Sequence, residues 1–64
     1  MQNSLRRVRE MSGMSQSECA EALGLTRQTI VSIEQGHYDP RLTLAFRIAR
    51  LFDVTVEDVF SPDE

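Results

Sequence analysis

The punctuation between Ser15 and Gly36 constrains this 64-residue chain more than any other feature. Ser15 is followed three residues later by Glu18, a pairing in which the hydroxyl takes a free amide of a first helical turn and the carboxylate reaches back to the cap. A helix therefore opens at Ser15. Cys19, Ala20 and Leu23 give it an apolar side at helical spacing, and Gly24 falls where the chain must leave the helix in a left-handed conformation. Leu25 then bridges to Thr26, a second cap, after which Ile30 and Ile33 recur three apart and Gly36 closes the segment. Two helices of about two turns each, joined by so short a link, cannot lie antiparallel and must cross steeply. The crossing requires a small residue at the contact, and Ala20 fits.

On the second of these helices Ile30 and Ile33 point inward, which leaves Thr26, Arg27, Gln28, Thr29 and Ser32 on the first turns and outward face. These side chains suit base reading: Arg pairs with guanine O6 and N7, Gln does the same with adenine, and Thr offers a methyl to thymine. A merely solvated face carries the same residue types, but the short-turn geometry favours DNA. The loop after this helix, Gln35, Gly36, His37 and Tyr38, adds backbone amides and a phenol hydroxyl able to hold a phosphate. His37, the lone histidine, reads otherwise as an ordinary surface residue.

The flanking segments complete a helical domain. Asn3 or Ser4 caps a first helix with Leu5, Val8 and Met11 toward the core, and Ser12-Gly13 ends it; Arg6 and Arg7 stay outside. After Pro40, Leu42, Ala45, Ile48, Ala49 and Phe52 form one stripe of a fourth helix. Leu44, Phe46 and Leu51 fall outside the stripe and make a candidate dimer patch. Thr55 with Asp58 opens a last turn that carries Val56, Val59 and Phe60 back to the core, and Ser61-Pro62 ends the fold.

The fold expected is all-α, one five-helix domain over 1–64, with the two-helix motif at 15–36 and an acidic tail at 61–64. A chain this short buries only about 60% of its unfolded surface, enough for one core. Its net charge of −3 opposes DNA binding until its distribution is considered. Seven arginines up to Arg50 stand against Glu10, Glu18, Glu21, Glu34 and Asp39, leaving +2, whereas Asp53, Glu57, Asp58, Asp63 and Glu64 put −5 after it. Phosphates respond to charge within about 8 Å at physiological salt, so acid on the far side need not prevent binding. Cys19 can form no internal disulfide and is read as a small core residue. No apolar run is long enough to cross a membrane and no secretory pattern opens the chain, so a cytoplasmic protein is expected. Neither a nucleophile beside a histidine, a phosphate-cradling glycine loop nor a metal-ligand cluster is evident; no catalysis, cofactor or metal is expected.

Gln16, Ala20, Gly24, Thr26, Arg27, Gln28, Ile30, Ile33, Glu34 and Gly36, with the Tyr38-Asp39-Pro40 loop and the ending LAFRIARLFDVTVEDVF, resemble the Cro and phage-repressor type, or XRE, helix-turn-helix regulators over nearly the whole chain. The resemblance implies a lambda-repressor-like fold in which the positions of Thr26, Arg27, Gln28 and Ser32 face the major groove and Gln16 touches the DNA backbone or an outer base. It also implies a structural ion pair between Arg9 and Glu34. Arg41 departs from the small capping residue usual after the proline and is counted with Thr29, Gln35, His37 and Tyr38 as a backbone contact; Gln35 stands where asparagine is common.

The function expected is sequence-specific binding of double-stranded DNA by a transcriptional regulator, a repressor, with helix 3 in the major groove. A homodimer is expected because a single small domain has limited affinity and paired half-sites lie about 34 to 36 Å apart. Two alternatives use the same residues: the antitoxin of a toxin–antitoxin pair, whose apolar surface or tail holds a toxin, and a protein-interaction module with the motif as scaffold, meeting a partner or co-regulator.

Overall fold

The computed structural model describes residues 2–60, and the acidic ending expected at 61–64 lies outside them. The described chain forms five helices in the order α1 (Leu5–Met11), α2 (Gln16–Leu23), α3 (Arg27–Glu34), α4 (Leu42–Leu51) and α5 (Val56–Val59), with no strand among the described residues. The capping box of α2 is formed on both sides: Ser15 Oγ accepts from the Glu18 amide at 3.0 Å, and the Glu18 carboxylate accepts from the Ser15 amide at 2.8 Å. The same reciprocal arrangement opens α5 between Thr55 and Asp58. Helix α2 ends at Gly24 with φ 71°, where the Leu25 amide donates back to the Ala20 carbonyl at 2.8 Å and turns the chain directly into α3.

Helices α2 and α3 pack more extensively on one another than any other pair, with Ala20 buried beside them; α1 leans on α3, α4 on α2, and α5 on α4. Leu5, Cys19, Ile30, Ile33, Ile48 and Val59 are sealed from solvent, so every helix contributes to a single core. Each such large aliphatic side chain contributes about 1.5 to 3 kcal/mol by leaving water. Polar ties close the ring: the Ser4 amide donates to the Val59 carbonyl at 2.7 Å, and Asn3 Nδ2 donates to the Ile33 carbonyl at 2.7 Å. Asn3 also supplies the cap of α1, its Oδ1 accepting from the Leu5 amide at 3.1 Å, while Ser4 at the cap position makes no side-chain cap bond. Arg47, assigned no role by the sequence reading, donates from Nη2 to the Leu23 carbonyl at 2.8 Å and satisfies the end of α2.

Three expectations require correction. Met11 is 78% exposed. It lies about 120° around the helix from Leu5, and Arg9 with the half-buried Met14 occupies the inner side instead. Leu42 is 67% exposed because the four-residue α5 is too short to cover the first turn of α4. Leu44 and Leu51, expected on an outward patch, are half-buried against the core on the flank of α4 away from Leu42 and Phe46. The outward apolar surface of α4 is therefore Leu42 with Phe46, the latter 48% exposed.

Candidate nucleic-acid interface

Helix α3 begins at Thr26, whose Oγ1 accepts from the Thr29 amide at 3.3 Å and shares a hydrogen bond with Thr29 Oγ1 at 3.0 Å. The cap holds the first turn open to solvent, with Thr26, Arg27 and Gln28 exposed in succession and Ser32 half-buried one turn beyond Gln28. The opposite side of the helix is anchored by Ile30 and Ile33, both fully buried. The projecting groups are thus carried on an element that cannot rotate without exposing two core residues.

Two recesses flank this helix. One, of about 350 Å³, is lined by Leu25, Thr26, Gln28, Thr29, Ser32 and Tyr38, and so brings the loop tyrosine against the expected base-reading residues. The other, of about 530 Å³, is lined by Arg6 and Glu10 of α1, by Gln16, Val31 and Gln35, and by the buried Arg9 and Glu34 side chains. Val31 escaped the sequence reading. Its spacing of four from Arg27 places it on the Arg27 flank rather than with Ile30 and Ile33, a signal available from the helical period.

The base of the second recess is a buried ion pair. Arg9 is 7% exposed, and its Nε lies 2.7 Å from Glu34 Oε2 while Nη1 donates to the Met14 carbonyl at 2.8 Å. The hydrogen bond to Glu34 pushes the Arg9 pKa upward against the opposing effect of burial, so the guanidinium stays charged. The pair locks α1 to the last turn of α3. Gln16, the first residue of α2, donates from Nε2 to Glu34 Oε1 at 3.1 Å and joins the same cluster.

The loop after α3 differs from expectation in one respect. The amides of Gln35, Gly36 and His37 donate to the carbonyls of Val31, Ile33 and Ser32 at 3.0, 3.0 and 2.9 Å. Gly36 has φ 80°, the left-handed bend that this closure of a helix end needs. These three amides are consumed by the helix and cannot cradle a phosphate; the side chains of Gln35, His37 and Tyr38 remain exposed. Arg41 is also exposed and caps α4 without a side-chain cap bond. As the N-cap residue it brings a cation, and not the usual acceptor, to the positive end of a helix dipole. Arg6 pairs with Glu10 at 3.2 Å on the exposed face of α1. No helix among the described residues is long and apolar enough to cross a membrane.

The helix-turn-helix family model matches residues 5–59. An uncharacterized HTH-type transcriptional regulator of Methanocaldococcus jannaschii is 48% identical over 60 residues, 94% of this chain and 91% of that relative. YgzD of Bacillus subtilis, likewise an uncharacterized HTH-type transcriptional regulator, is 42% identical over 64 residues, spanning 100% of this chain and 97% of its own. Among solved structures, the restriction-modification controller protein C.AhdI from Aeromonas hydrophila superposes with a TM-score of 0.79 at 28% identity, covering 88% of this chain and 85% of that one.

Proposed function

Because the chain belongs to the XRE-type helix-turn-helix family and is a DNA-binding transcriptional regulator, we propose that it acts as a repressor, a homodimer that occupies paired half-sites and blocks access to the promoter. In this reading residues 1–64 act as one domain. Thr26, Arg27, Gln28 and Ser32 read bases in the major groove, and Gln16, Thr29, Gln35, His37, Tyr38 and Arg41 contact the sugar–phosphate backbone. The observation that carries it is the capped first turn of α3, with Arg27 and Gln28 projecting outward from a helix pinned by Ile30 and Ile33. Arg41 supports it too, since a cation placed against a helix dipole gains from a phosphate facing it. No step of this function needs catalysis, and the cytoplasm is where it would operate.

A second copy of the chain is assigned to the outward side of α4. There Leu42, Phe46, Val54 and Val56 border a groove of about 600 Å³ that also includes Arg50 and Glu57 at its edge. The apolar side chains of this patch suit an isologous contact, in which a two-fold axis lays each patch on its own copy.

Selection of a random duplex pool by the purified chain at near-physiological salt tests the reading. The expected result is an enriched palindrome whose half-site centres lie about 34 to 36 Å apart. A folded protein that enriches nothing would overturn it, and a single unpaired half-site would overturn the dimer. Phe46→Glu should leave the fold intact while converting the DNA complex from two protomers to one in sedimentation.

A further inference from the structure

The Glu34 carboxylate has more partners than a pair holding two helices together requires. Its Oε2 binds Arg9 Nε at 2.7 Å, while Oε1 accepts both from Arg9 Nη2 at 3.4 Å and from Gln16 Nε2 at 3.1 Å. A carboxylate only accepts hydrogen bonds, so the amide nitrogen of Gln16 must face it and Gln16 Oε1 must turn away. The second N–H of the same nitrogen is not needed by Glu34. Gln16 stands at the first turn of α2, is half-buried, and lines the recess beside α3 together with Val31 and Gln35. A glutamine at a helix start has several rotamers to lose on meeting a ligand. Here the bond to Glu34 Oε1 at 3.1 Å, made within the protein itself, restricts those rotamers.

We propose that Glu34 is a positioning residue for DNA binding: clamped by Arg9, it holds the Gln16 amide in one orientation so that its second N–H meets a phosphate oxygen already aimed. Arg9 neutralises the carboxylate, so Glu34 can orient the amide without repelling the phosphate. The ordering cost of Gln16 then falls on folding and not on binding, which is how preorganisation raises affinity. The pair implied by resemblance to be structural thereby acquires a second task. The proposal rests on the reading of Gln16 as a DNA contact.

Two measurements on the full chain test it. In NMR relaxation of the DNA-free protein, the Gln16 side-chain amide should be ordered while that of the exposed Gln28 moves freely; equal mobility overturns the proposal. Affinity for the selected duplex is then compared for the native chain, Gln16→Ala, the pair Arg9→Met with Glu34→Met, and all three together. The paired replacement removes the carboxylate and its counter-charge at once and strands no buried charge. Gln16→Ala should weaken binding about five- to tenfold in the native background and less than about twofold in the paired one. Equal losses in both overturn positioning. Equal native and Gln16→Ala affinities overturn instead the DNA contact on which it rests, and an absence of native binding overturns the proposed function itself. Should the paired variant fail to fold, the relaxation comparison decides alone.

Discussion

Arg9→Met should remove a large part of the stability of this domain. At 64 residues, a typical domain has about 3 to 10 kcal/mol of net stability. The substitution leaves the Glu34 side chain, only 6% exposed, without its counter-charge and with Gln16 Nε2 as its remaining hydrogen-bond donor. Breaking a buried pair in this way costs about 3 to 5 kcal/mol. The Met14 carbonyl loses its donor as well, at a further cost of about 1 kcal/mol unless water replaces it. Each kcal/mol lowers the Tm of a domain this size by about 4 to 8 °C. Urea unfolding followed by circular dichroism at 222 nm measures the loss, and Arg9→Met with Glu34→Met should recover most of it. The pH dependence has a definite sign. Glu34 raises the Arg9 pKa, so the stability Arg9 contributes is complete below its unfolded value and is lost only as pH rises beyond it. Both values lie far above neutrality, so Arg9 itself adds no pH dependence between about pH 5 and 9. A single variant that unfolds within about 1 kcal/mol of the parent at unchanged m value would refute the argument.

Arg27→Ala should cost about 1 to 3 kcal/mol of specific binding and relax preference at one base pair, read from repeated pool selection; an unchanged preference would remove Arg27 from base reading. Asp53 follows the C-cap of α4 with φ 57°, a left-handed conformation in a non-glycine residue, and it brings a carboxylate next to the negative end of that helix. Asp53→Gly should therefore raise stability by about 0.5 to 1 kcal/mol in thermal melts. The amide and hydroxyl of Thr55 hold the Asp58 carboxyl below its usual pKa. Its cap contribution is present above the ordinary aspartate value of about 3.9 and lost as pH falls through the depressed one, so the Thr55 amide resonance should titrate below about pH 4. A Thr55 shift that moves only above pH 5 would contradict the capping box.

Most of the architecture was legible because local signals agreed with one another. Ser15 with Glu18, Gly24, Thr26, and Thr55 with Asp58 set helix ends by hydrogen bonds spanning at most five residues, and all stand where the spacing places them. The expectations that required correction were those needing knowledge of neighbours. Leu42 lies on the correct stripe of α4 yet is exposed, since the periodicity of one helix says nothing of how far the next one reaches. The loop amides read as exposed because a glycine at a helix end marks the stop without showing which carbonyls the amides around it meet, here those of Val31, Ile33 and Ser32.

The sequence by itself determined the helices, their ends, the polar composition of the outward face of α3, and the short turn at Gly24 and Leu25 that joins α2 to α3. These follow from backbone conformation and from bonds between residues a few positions apart. Tertiary structure alone decided that Arg47 closes the end of α2, that Tyr38 borders the recess beside Gln28, and that Gln16 shares a carboxylate with Arg9. Arg47 is 24 residues from the carbonyl it binds and Glu34 is 25 from Arg9. Such partners meet only because burying Ile30, Ile33, Ile48 and Leu5 in one core brings their helices together, and that packing carries no mark in any local stretch of chain.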